Sequence, residues 1–492
     1  MPAQAKASRA ALGALCVGAL ASSSVYGLLA PVFPSEALAY GMSERAQGVV
    51  FAVFALVVFL ASPAVGSWLV PRMGKRNVLL RGLVVLALST GCFAAVPLAP
   101  KRLFAASCLA IRVVQGLGSA MVETASFALC AELFREDLTA ALGAIEVAVG
   151  AGWMLGPVFG GLLVELGGFK APFLVMAAWV LLMAGLVTSM IPARGAGGSV
   201  GGQEEEEAFG DVRVGQVLAR PSQLAMLGVA VMANSAYSFT EPTLQPHVKP
   251  FVKSDSAVGA LFFVCSITYA AVTPLVGMLA KEPVPRHRDC APGTPTATFG
   301  SIARRRSSSG GVGPPMPASF SVVRVASVAA MSTHGAETPE EPPSRCAVGP
   351  VPVIVGGQLA IAIGYALIGP AAVLGLPADS LALTAVAMAI IGLGQCAAML
   401  PLLDIMLIDA AELGPGAVGT LSGLLNSSYA LGEMLGPLIG TNLNVQLGFA
   451  GATSVYALAT LAYAPLLLCC WCPDKRRRAG TAEQAETRHL VA

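Results

Sequence analysis

An apolar stretch broken by closely spaced glycines and one proline occurs twice in this chain. Residues 146–169 read EVAVGAGWMLGPVFGGLLVELGGF. Their centre returns at 432–449 as Gly432, Glu433, Met434, Leu435, Gly436, Pro437 and Gly440, followed by Leu447, Gly448 and Phe449. In water, glycine and proline would make either segment a poor helix. In a bilayer, glycines let a neighbouring helix approach backbone to backbone, and neighbours re-satisfy the carbonyl that a proline frees. Met154-Leu155-Gly156-Pro157 stands 280 positions before Met434-Leu435-Gly436-Pro437, so each half of the chain carries the pattern once.

The composition agrees with a bilayer setting. Of 492 residues, 55% are hydrophobic and 12% charged, whereas a soluble domain is roughly one-quarter charged. Cys16, Cys92, Cys108, Cys130, Cys265 and Cys396 lie in apolar stretches, none of these six in a CxxC pair, and are read as packing residues. No P-loop, metal-ligand spacing, nucleophile elbow or nucleic-acid patch is found, so neither an enzyme nor a cofactor is expected. The four histidines, His247, His287, His334 and His489, are placed in loops, the insertion or the tail, which argues against a buried histidine relay.

A spanning helix needs about 20 apolar residues. Twelve segments qualify: 9–32, 46–70, 78–98, 103–127, 139–164, 171–192, 222–245, 256–280, 351–374, 380–403, 416–440 and 449–472. An even count puts both termini on one side, and the positive-inside rule chooses it. Cytosolic termini place Arg72, Lys75, Arg76, Arg135, Arg194, Arg213, Arg220, the basic residues of 281–345 and Lys475 to Arg478 inside. Only Arg45, Lys101, Arg102, Lys170, Lys249 and Lys253 fall opposite.

The expected organisation is a six-helix half over 1–192, a charged linker over 193–221 with Glu204 to Glu207, a second half over 222–472, and a basic tail over 473–492. Near the start of each half, Ser24, Tyr26 and Pro31 match Ser235, Tyr237 and Pro242 at an offset of 211. The glycine–proline anchors are offset by 280, so the second half holds 69 extra residues between these marks. The stretch 283–349, 67 residues rich in Pro, Ser, Gly and Arg, lies there and is expected to be a disordered insertion. A regulatory loop and a translated intron fit it equally. The halves are then parallel six-helix pseudo-repeats, the layout of major facilitator transporters, with substrate between the halves near the midplane.

Several motifs carry a resemblance. Gly152-x-x-x-Gly156-Pro157-x-x-Gly160-Gly161 is similar to the antiporter signature of that superfamily, and Arg112-x-x-Gln115-Gly116-x-Gly118 to its motif associated with proton coupling. With Tyr26 to Pro34, Leu142 to Glu146 and Glu241-Pro242-Thr243-Leu244, the chain resembles the vesicular amine transporter family (solute carrier family 18), closest to its vesicular polyamine branch. The likeness fails over 283–349 and the termini. It implies proton-coupled export of organic cations into an acidic vesicle. Two departures bear on substrate. Val70 to Arg76 lacks the aspartate of the superfamily loop motif, and 18–32 contains no acid where monoamine members carry one, which disfavours a monoamine.

Ionisable residues inside spans are functional candidates by default. Glu146 and Asn426 are 280 apart and are expected to face each other across the pseudo-twofold. Arg112 needs a carboxylate or carbonyl partner. Glu241 precedes the Pro242 kink, Glu433 lies on one face with Asn426, and Glu123 and Asp404 match near the cytosolic mouth. A blander role, an interfacial acid or a structural ion pair, stands beside each. Gly152, Gly156, Pro157, Gly160, Gly161, Gly436 and Pro437 are expected to pack and to seal against proton leak. Asp409 is placed in a loop, and Cys469, Cys470 and Cys472 are palmitoylation candidates beside the basic tail. The expected function is polyamine–proton antiport by a monomer in a vesicular or other acidic-organelle membrane, with no nucleic-acid partner. A plasma-membrane drug or metabolite exporter of the same fold, and a transport-inactive scaffold or sensor, are the alternatives.

Overall fold

The computed structural model describes residues 2–134, 138–191, 214–280, 349–369, 375–377, 379–410 and 417–470. All of the expected 283–349 insertion but its last residue, most of the expected linker and the basic tail lie outside the described residues, as do the side chains of Cys469 and Cys470.

The first half contains α1 (Pro2–Gly27), α2 (Glu44–Ala64), α3 (Lys75–Phe93), α4 (Lys101–Leu133), α5 (Leu138–Gly167) and α6 (Lys170–Met190). The second contains α7 (Pro221–Val248), α8 (Asp255–Leu279), α9 (Pro350–Ile368), α10 (Leu381–Met399), α11 (417–447) and α12 (449–470). Serine side chains start three of them: Ser43, Ser254 and Ser380 accept from backbone N–H groups three residues on, satisfying donors the helix itself leaves orphaned. The last two helices run on from one another and part at Gly448, whose φ of 69° suits a residue without a Cβ.

Ten described helices are long and apolar enough to cross a membrane. One of them spans the Gly448 break and is two crossings. α7 is not among the ten, because Asn234, Glu241 and Gln245 make it less apolar; all three are buried against other helices. The described residues therefore hold twelve crossings. Their ends differ from the expected ones where proline and glycine act. α1 stops at Gly27, and a separate short helix, Phe33–Ala39, follows the Pro31 break. α2 continues helically to Met73 and reverses only at Gly74, so most of the expected 70–76 loop is helix. α10 ends before Pro401, and Leu402–Asp409 is a further helix. Asp409 thus closes a helix and is no loop residue; it accepts from Ser222 Oγ at 2.7 Å and Gln223 Nε2 at 2.9 Å. His247 also departs from the loop assignment. It lies in the last turn of α7, stacked on Phe449 with ring centroids 3.8 Å apart.

Each half has its own core, one drawn from α1 to α6, the other almost wholly from α7 to α12. The pseudo-repeat is visible in atomic contacts. A Cβ at Gly152 would meet Leu20 O at 2.6 Å, and one at Gly432 would meet Val231 O at 2.6 Å. Gly156 likewise faces Ser24 O at 2.5 Å and Gly436 faces Ser235 O at 2.8 Å. Glycines 280 apart therefore touch backbone atoms 211 apart. Gly82 and Gly118 in α3 and α4 repeat as Gly357 and Gly394 in α9 and α10, again at backbone contact.

The halves meet along two seams, α2 with α11 and α5 with α8. Gly48 lies against Pro437 O, 2.7 Å from its built Cβ, and Thr441; Gly161 lies against Asp255 O at 2.5 Å. Farther along the same helices this closeness is gone. Gly423 shares a face with Thr441 five turns away, about 27 Å, yet among the described residues nothing stands within 4 Å of its built Cβ. Gly150, three turns before Gly161, is equally open. Among the described residues the two halves are joined at the end that carries Pro31, Gln245 and Asp255, and these seam glycines show no such contact at the other.

Gly156→Val should force α1 off α5 and cost about 1–3 kcal/mol or more. Thermal unfolding in detergent should show the loss, Gly436→Val should show a similar one, and Gly150→Val should leave the midpoint within error.

Candidate functional site

The interior between the halves is lined differently by each. α1, α2 and α5 of the first half bring aromatic rings: Tyr26 lies 5.3 Å from Phe54 and 6.0 Å from Trp153 between centroids. α7 and α11 of the second half bring carboxyls. The Tyr26 hydroxyl donates to Glu241 Oε2 at 3.2 Å, a bond that crosses between the halves, and both side chains are buried. Glu433 on α11 is half-buried and accepts from Asn234 Nδ2 at 3.3 Å, while that same nitrogen donates to Tyr429 O at 2.7 Å. Glu241 lies within electrostatic reach of both Glu433 and Arg112.

Arg112, only 1% exposed, is the cation of this interior. Its Nε donates to Val50 O and its Nη1 to Gln115 Oε1, both at 3.2 Å, and the guanidinium carbon sits 4.4 Å over the Phe54 ring. Gln115 Nε2 in turn donates to Thr90 Oγ1 at 3.1 Å. Among the described residues Nη2 has no hydrogen-bond partner. A guanidinium can hold a carbonyl, an amide oxygen and a ring face at once because its planar fork is rigid. Phe54 thus lies between Arg112 and Tyr26, and Tyr26 touches Glu241.

A family model described as Major Facilitator Superfamily matches residues 15–303, more than half of the chain. The chain belongs to the Major Facilitator Superfamily. The rat (Rattus norvegicus) MFS-type transporter SLC18B1 is 26% identical over 89% of this chain and 80% of its own length; the human (Homo sapiens) protein is 26% identical over 90% and 82%. The human vesicular acetylcholine transporter is 32% identical over 45% of this chain and 39% of its own. These relatives support placement in solute carrier family 18, and they are transporters, not enzymes. Among solved structures, a bacterial homologue of the human lysosomal transporter Spinster, in an inward-facing and unoccupied conformation, aligns with a TM-score of 0.59 at 14% identity over 96% of both chains. That likeness establishes the fold: all-helical, of the major facilitator type.

In this transporter the expected site residues are distributed unevenly. Arg112 and Glu241 come together through Phe54 and Tyr26. Glu433 joins them electrostatically, and Glu123, which accepts from Ser119 Oγ at 2.8 Å, is within reach of Glu433. Ser119 also pairs with Ser22 at 2.9 Å, tying α4 to α1 one turn before Tyr26. Asn426 is exposed on α11 toward the open end. Glu146 belongs to helix α5, but its side chain lies outside the described residues. Asp404 is half-buried in the short helix beyond the Pro401 break of the Leu381–Asp409 span, and Glu123 lies within unbroken α4. The glycines of the signature lie against α1, the turn that follows it, or α8.

Sequence reasoning singles out Tyr26 as half of a repeat and, like Gln115, as part of a family resemblance, and it leaves Phe54, Trp153, Asn234 and Ser119 without a role. The repeat holds a usable signal. Trp153 and Glu433 are 280 apart, and Ala30 and Glu241 are 211 apart. At equivalent places one half supplies an aromatic or apolar residue and the other an acid.

Arg112→Met should leave the Gln115 amide and the Val50 carbonyl without their donors in a buried site, a loss of about 3 kcal/mol. A lowered unfolding midpoint of the purified transporter would register it. Arg112→Lys should restore only part, since an ammonium cannot span both acceptors and the ring.

Proposed function

We propose that this transporter exchanges organic cations, polyamines among them, for protons, and moves the cation into an acidic vesicle lumen. The observation that carries the reading is Glu241: a buried carboxyl at the junction of the halves, touching Tyr26, with the rings of Phe54 and Trp153 behind it. A desolvated cation gains from a ring face and from a carboxylate together. One half offers the first and the other half the second, so a bound cation would draw on both. The likeness to transporters named for vesicular acetylcholine supports an organic cation, and the likeness to SLC18B1 over 89% of the chain supports the solute carrier family 18 assignment that the sequence motifs suggest.

With the termini in the cytosol, as the basic residues favour, the open end faces the cytosol. The cation enters past Asn426, meets Glu123 and Glu433, and reaches the aromatic cluster. There it competes with the Tyr26 hydroxyl for Glu241. Rocking of the halves then exposes the site to the lumen, where protons neutralise the carboxyls and release the cation. Glu146, placed 280 residues before Asn426, would serve as a further proton acceptor.

The test is uptake of radiolabelled spermidine into proteoliposomes with an acid interior. Uptake should require the gradient. Glu241→Gln should lower it about tenfold or more, as expected for about 1.5–3 kcal/mol of lost charged interaction, and Glu146→Gln should lower it as well. Uptake independent of the gradient would remove proton coupling. Uptake of acetylcholine in preference to spermidine would move the substrate to monovalent cations, and full activity in Glu241→Gln would overturn the site.

A further inference from the structure

Gln245 is fully buried in α7, one turn beyond Glu241 on the same face. Its side chain reaches out of its own half. Gln245 Oε1 accepts from the backbone N–H of Ser35 at 2.8 Å, and Gln245 Nε2 donates to the backbone carbonyl of Pro31. The same nitrogen lies 3.3 Å from Asp255 Oδ1, and Asp255 pairs with Lys249 at 2.5 Å. Pro31 and Ser35 flank the place where the first-half chain leaves α1 and re-enters a helix at Phe33. A helix break strands backbone donors and acceptors, and in a bilayer each must find a partner. Here one amide side chain from the other half supplies both a donor and an acceptor.

We propose that Gln245 is the latch that holds the two halves together at the Pro31 end, and that it is a positioning residue of the transport cycle because Glu241 lies one turn away on the same helix face. When the halves separate at this end, Pro31 O and Ser35 N–H lose their partner together, so a protein group satisfies the break only in the closed arrangement. The remaining contacts at this end support the same state. Glu165 of α5 accepts from Ser254 Oγ and from Ser256 N–H at the start of α8, and Asn444 Nδ2 donates to Glu44 at 2.5 Å. These bonds are more exposed; the Gln245 amide is the buried one. A cation that draws Glu241 from Tyr26 acts on the same face of α7 that carries the latch. This coupling rests on the transport reading, whereas the latch itself does not.

Hydrogen–deuterium exchange with mass spectrometry on the full chain in nanodiscs tests the latch without any substrate. Gln245→Leu should speed exchange several-fold in 33–40. It should also do so in 47–52 and 437–444, where α2 and α11 meet and to which Gln245 makes no hydrogen bond. Gln245→Glu, which keeps the acceptor for Ser35 but sets a second oxygen against Pro31 O and Asp255, should open the same segments at neutral pH. Gln245→Glu differs by one heavy atom, so it remains informative if the leucine variant fails to fold; unchanged exchange in 82–90 and 357–365 reports an intact fold. Faster exchange confined to 33–40 would make Gln245 a local prop for the helix break, and unchanged exchange would dismiss the latch; either result overturns the proposal. Failure of spermidine uptake by the wild-type protein, with the exchange pattern as expected, would count against the transport reading alone.

Discussion

Backbone contact between helices is the constraint on which this structure depends. Gly152, Gly156 and Gly160 bring α5 onto α1, and Gly432, Gly436 and Gly440 bring α11 onto α7. Between apolar helices in lipid no hydrophobic gain remains to drive association, so close packing and hydrogen bonds must supply it. Glycine gives that closeness, and the same closeness sets what else can fit. With α1 pressed on α5, Tyr26 is carried to Trp153; with α7 pressed on α11, Asn234 is carried to Glu433. These glycines lie against neighbouring backbone, and that closeness sets the distances within the polar interior.

The second consequence is asymmetry within a symmetric frame. Two halves with matching backbone contacts carry different chemistry at two matching places: Trp153 of the first stands where the second has Glu433, and Ala30 where it has Glu241. A ligand held by only one half would not report on the arrangement of the other. One held by rings on one side and carboxyls on the other binds best in the geometry that brings both to it, which is how differential affinity moves a two-state protein. The Tyr26–Glu241 bond occupies that junction in the cytosol-open reading of this structure.

Much of the fold is legible in the residues because a bilayer allows few alternatives. Length and apolarity mark the crossings, and the offsets of 211 and 280 predict which backbone atoms the glycines meet. Where the reading misses, proline or local hydrogen bonding decides. Pro31 ends α1 early, Pro401 ends α10, and the Asp409 carboxylate is drawn into a helix end by Ser222 and Gln223. The polar interior is less legible. Glu241 and Arg112 stand out as charges in apolar sequence, but Phe54, Trp153 and Gln245 look like any other helix residues until their neighbours are known.

The sequence by itself determined the all-helical membrane class, the parallel repeat and the small set of intramembrane charges, since each follows from the cost of exposing polar groups to hydrocarbon. Only the tertiary structure decided which charges meet, which end of the molecule is closed, and that a glutamine of one half completes a broken helix of the other. Those depend on contacts between residues some 200 positions apart, and no local pattern encodes a distance that only packing sets.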